Sequence, residues 1–104
     1  MLTPSGKSVK QAFEAECRSY VLFNLEPELD CANPRLAMDA LRQAECVIAF
    51  SAYRANSLLA CANVILPIAP FAETSGTLVN CEGQWQSFSA ITAAAGEARP
   101  GWKV

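Results

Sequence analysis

Three short runs of almost unbroken apolarity constrain this chain more than any other feature: YVLFNL over residues 20–25, CVIAF over 46–50 and VIL over 64–66. A strand with one wetted face alternates apolar and polar side chains, whereas a strand buried on both faces reads as a continuous apolar run, the pattern of parallel sheets. Their β-branched and aromatic residues favour strands, and Pro27 and Pro67 stop the first and third. Helix-like segments lie before and between them. Residues 8–17 (SVKQAFEAEC) place Val9, Ala12, Phe13 and Cys17 on one helical stripe, with Ser8 positioned as the N-cap. Asn33-Pro34 combines a capping side chain with a proline at the first helical position, and the helix it starts should reach about Ala44. Leu36, Ala37, Ala40, Leu41 and Ala44 form its apolar face. Residues 56–61 (NSLLAC) allow one or two further turns.

Strand, helix, strand, short helix, strand is the order of an α/β fold. The expected architecture is three-layered: a short, mostly parallel sheet with right-handed crossovers, flanked by helices on both faces. Beyond Pro67 the texture changes to Pro70, a polar stretch at Glu73-Thr74-Ser75-Gly76-Thr77, a turn at Glu82-Gly83 and a short strand over 84–88. A C-terminal antiparallel segment and an irregular tail over 93–104 follow from it. The 104 residues form one domain, 1–104.

Composition narrows the function classes. Hydrophobic residues make up 52% and charged residues 17% of the chain, and the mean hydropathy is +0.17. A domain of this size buries only roughly 60 to 65% of its unfolded surface, so part of that apolar content should meet a partner. The net charge is −2, and the eight Lys and Arg residues are scattered, which gives nucleic acid or an acidic membrane no basic face to bind. No apolar run reaches the roughly 18 to 20 residues of a membrane span. There is no histidine, which removes Ser-His-Asp and Cys-His catalysis and imidazole metal sites. Cys17, Cys31, Cys46, Cys61 and Cys81 are 14, 15, 15 and 20 residues apart, without a C-x-x-C pair, so neither a zinc nor an iron-sulfur site is expected. Their odd number and the lack of a secretory leader read as reduced thiols in a cytosolic compartment.

Other constellations are weak. A nucleotide-binding crossover needs clustered glycines, yet the first crossover, Glu26-Pro27-Glu28-Leu29-Asp30, has none and carries three acids that would repel a phosphate. It reads as a solvated acidic loop. Glu73, Thr74, Ser75 and Thr77 around Gly76 form the densest polar cluster beyond a strand end, a pattern that a turn or cap explains. No catalytic residue is assigned.

The stretch 61–88, CANVILPIAPFAETSGTLVNCEGQWQSF, resembles the A-D-V-x-L-P…E-x-x-G-T-x-x-N-x-E-G-R-x-Q segment of the molybdopterin oxidoreductase superfamily. Within it, the likeness is to the family of large iron-sulfur subunits of bacterial NADH-quinone oxidoreductase, respiratory complex I, supported by NLEPELDCANP over 24–34 and GEARPGWKV over 96–104. The matching positions are Pro67, Glu73, Gly76, Thr77, Asn80, Glu82, Gly83 and Gln86, while Asn63 stands where Asp is usual and Gln84 where Arg is usual. The resemblance implies that residues 1–104 are a fragment from the carboxyl-terminal part of a larger molybdopterin-type domain. It implies a non-catalytic structural role in a polypeptide supporting electron transfer from NADH to quinone coupled to proton translocation. Iron-sulfur clusters would be bound elsewhere in that polypeptide, and no cofactor or metal in this stretch. Partners would be the rest of the polypeptide and other peripheral-arm subunits, on the cytoplasmic side of the inner membrane. A true molybdopterin enzyme would instead place Glu73, Gly76, Thr77 and Asn80 beside a pterin, although losing the positive charge at Gln84 weakens the hold on its phosphate. An independent small interaction module is the third reading. The fragment reading predicts that the chain on its own self-associates or is marginally stable.

Overall fold

A computed structural model describes residues 6–104. The first helix, α1 (Val9–Glu14), begins with a reciprocal cap: the Ser8 hydroxyl accepts the Gln11 N–H at 3.3 Å and the Gln11 side chain accepts the Ser8 N–H at 2.9 Å. It stops short of Cys17 because Glu16 takes a φ of 47°, a left-handed conformation that no helix continues through. The chain then enters β1 (Ser19–Phe23), which ends at a second left-handed residue, Asn24, with φ 50°. The acidic crossover expected to be a loop forms one helical turn, α2 (Pro27–Asp30), whose Asp30 carboxylate accepts the Glu26 N–H at 2.7 Å. Pro27 is wholly buried beneath it. Asn33 caps α3 (Pro34–Gln43) by accepting the Leu36 N–H at 3.2 Å. There follow β2 (Cys46–Ser51), α4 (Asn56–Cys61) and β3 (Val64–Pro67).

The three strands form a parallel sheet in the order β1-β2-β3. Alternate residues of the first two strands turn to one side, where Tyr20, Leu22, Val47 and Ala49 pack against Phe13 of α1, Ala37, Ala40 and Leu41 of α3, and Leu58 of α4. The face read for α3 is the one that packs, with Met38 buried beside it. Asn63 fastens the last crossover to the sheet: its side-chain oxygen accepts the Val47 N–H at 2.7 Å and its own N–H donates to the Val47 carbonyl at 2.8 Å. An oxygen acceptor is all this place requires, so Asn serves where the resembling family has Asp.

The α/β class and parallel sheet stand as expected. Helical cover is met on only one face among the described residues, not on two. Topology explains the difference, because right-handed crossovers that step in one direction, from β1 to β2 to β3, put their helices on the same side, where α1 also packs. On the other side Val21 is 68% and Phe23 58% exposed. The C-terminal antiparallel segment is also as expected: β4 (Gly76–Val79) and β5 (Trp85–Phe88) pair as a hairpin. The tail is more tied down than its sequence suggests. Arg99 lies beside Ile68 in parallel register, and its carbonyl accepts the Ala69 N–H at 2.8 Å.

Tyr20 carries a testable consequence of burial. Its ring stacks on Phe13 at 5.5 Å, while its hydroxyl donates to the Ala12 carbonyl at 3.1 Å and accepts the Cys17 N–H at 3.0 Å. Desolvation pushes the phenol above its ordinary value of 10.0, and burial likewise raises the Cys31 and Cys61 thiols above 9.0. A folded state that holds these protons more tightly is fully stabilised below the ordinary values and loses that contribution as pH rises through the raised ones. The urea midpoint should therefore hold between about pH 7 and 8.5 and fall above about pH 9, with Tyr20→Phe flattening the upper part of the decline. An alkaline decline unchanged by Tyr20→Phe would show that this phenol is not responsible.

Candidate functional site

The polar motif of residues 73–86 builds the hairpin and its anchorage. The Glu73 carboxylate accepts the Ala95 N–H at 3.0 Å and so ties the 3₁₀ turn Phe71–Glu73 to the tail. Gly76 opens β4, and a Cβ there would stand 2.9 Å from the tip of the Phe88 ring, so a side chain would displace that ring. The Thr77 hydroxyl pairs across the hairpin with Ser87 at 2.9 Å. Asn80 organises the turn: its side-chain oxygen accepts the N–H groups of Glu82 at 3.0 Å and Gln84 at 2.9 Å. Gly83, at φ 79°, supplies the left-handed residue this turn requires. Each of these motif positions thus has a local reason.

An Asn80→Ala change removes both acceptor contacts. It should cost about 1 kcal/mol of hairpin stability, so that β4 and β5 amides exchange roughly five-fold faster while those of β2 are unchanged. Equal acceleration in β2 would contradict a role confined to the turn.

A cleft of about 430 Å³ opens between this hairpin and the C-terminal ends of the parallel strands. Its walls include Phe23, Tyr53, Ile68, Phe71, Leu78 and Trp102, contributed by separate segments of the chain. In α/β proteins this end of the sheet is where ligands bind. None of Glu73, Gly76, Thr77 and Asn80 lines it. The Glu73, Thr77 and Asn80 side chains are each engaged within the chain, with backbone N–H groups or with Ser87. The aromatic walls carry no sequence signature, since no periodicity links Phe23, Tyr53, Phe71 and Trp102. Their common signal is position, each within a few residues of a strand end or of a proline.

The cysteines lie apart. Cys17 follows α1, Cys31 follows α2, Cys46 opens β2, Cys61 closes α4 and Cys81 sits exposed in the hairpin turn. The Cys17 and Cys61 thiols donate to the carbonyls of Ala12 and Ser57, at 3.6 and 3.2 Å. Partial burial raises the Cys31 and Cys61 thiols above their ordinary value, which lowers the fraction present as the nucleophilic thiolate. Among the described residues no three His, Cys, Asp or Glu side chains gather where a metal ion could be held. Of the three acids of the first crossover, Asp30 is engaged with the Glu26 N–H. No described helix is long and apolar enough to cross a membrane.

Comparison with known proteins agrees with this architecture. Over 56 residues the chain is 43% identical to the G subunit of NADH-quinone oxidoreductase from Shewanella oneidensis. That alignment covers 49% of this chain and 6% of the relative, so the chain spans a small part of the protein it matches. The family described as molybdopterin oxidoreductase matches residues 2–104, taking in the parallel sheet, the strand-end cleft and the hairpin motif together. With nearly every residue inside that match, the chain belongs to the molybdopterin oxidoreductase family.

Proposed function

We propose that this chain is a packing segment of the large G subunit of NADH-quinone oxidoreductase, from the carboxyl-terminal part of its molybdopterin-type domain. It serves electron transfer from NADH to quinone as scaffold, away from the reacting centres. The observation that carries this reading is the engagement of the motif side chains: Glu73, Thr77 and Asn80 each hold the hairpin or its anchor. Side chains held in internal hydrogen bonds of this kind shape the hairpin surface that a neighbouring segment would meet. The likeness to that relative and the small share of it covered support the same reading. The partners are then the remainder of the parent polypeptide and the other subunits of the peripheral arm, on the cytoplasmic side of the membrane. Iron-sulfur clusters belong to other regions of the parent.

Asn80→Ala and Glu73→Gln introduced into the full-length polypeptide test this. The amount of assembled complex should fall, with turnover per assembled complex staying within about two-fold of the unaltered protein. Full assembly with a roughly ten-fold or greater loss of turnover would assign the motif to the reaction instead.

A further inference from the structure

We draw no further inference here: the strongest candidate, the apolar cleft of about 430 Å³ between the β4–β5 hairpin and the C-terminal ends of the parallel strands, carries nothing because nothing in the structure shows what covers it.

Discussion

Val21→Lys should convert the 104-residue chain on its own from a concentration-dependent associating species into a monomer. Val21 is 68% exposed at the middle of β1, on the side away from the helices, with Phe23 at 58% and Val64 at 46% on the same side. Burying such side chains against another molecule is favourable by roughly 25 cal/mol per Å², and nothing charged in those rows opposes it. A lysine in the first row adds a charge that any apolar contact must desolvate, and its stem reaches solvent in the monomer without disturbing the core. Sedimentation over a roughly hundred-fold concentration range should show the unaltered chain growing in mass and the variant constant. Stability measured by urea at low concentration should move by no more than about 0.5 kcal/mol, as for a surface change. An unaltered chain that stays monomeric throughout would mean that the open face does not drive association.

Leu41→Ala should remove about 2 to 5 kcal/mol, a large part of the chain's stability at about 25 °C. Leu41 is 1% exposed on α3, in the core with Val47 and Ala49 at 0% and Leu58 at 0%. Removing a fully buried leucine side chain costs about 2 to 5 kcal/mol, the upper part of the range applying where the surroundings cannot collapse into the cavity. Here the opposing wall is the sheet itself, held in register by two sets of parallel pairing, so collapse is limited. A native domain has roughly 5 to 15 kcal/mol in total, and one with a single covered sheet face lies near the bottom of that range. Far-UV circular dichroism should show the urea midpoint of the variant shifted to much lower denaturant. Leu29→Ala, at a position 78% exposed on α2, is the matched control and should change stability by less than about 0.5 kcal/mol. Comparable losses in both would mean that the helical layer contributes little specific packing.

Much of the fold is legible in the sequence because local chemistry and packing agree. Ser8 and Asn33 are capping residues by type and cap in fact, through Gln11 and Leu36. Residues 56–61 read as a helix and are one, and the apolar runs are the three strands. The misplacements occur where one residue's backbone decides the outcome. Nothing in the pattern around Glu16 announces a left-handed φ, so the apolar stripe runs on to Cys17 after α1 has ended at Glu14. The acidic crossover reads as loop because its charges obscure a proline-started turn closed by Asp30 on Glu26. For the candidate site, the hairpin motif is legible as a resemblance and Asn80 caps a turn through residues only two and four positions on, whereas the role of Glu73 in tying down the tail depends on Ala95, 22 positions away. The aromatic cleft is not legible at all, because its walls meet only after the strands are laid side by side.

Chemistry local to the chain was enough to set the class of the molecule: alternating helices and doubly apolar strands, the lack of histidine, and a motif naming a family. These are properties of neighbours along the chain, and short-range periodicity and side-chain type suffice to express them. Which face of the sheet is covered was settled only by folding in three dimensions. The strand runs are apolar on both sides, so the pattern demands two layers and is silent on which one this chain supplies. The handedness of the crossovers and the unbroken β1-β2-β3 order put α3 and α4 on the same side, α1 packs beside them through Phe13, and the rows led by Val21 and Phe23 stay open.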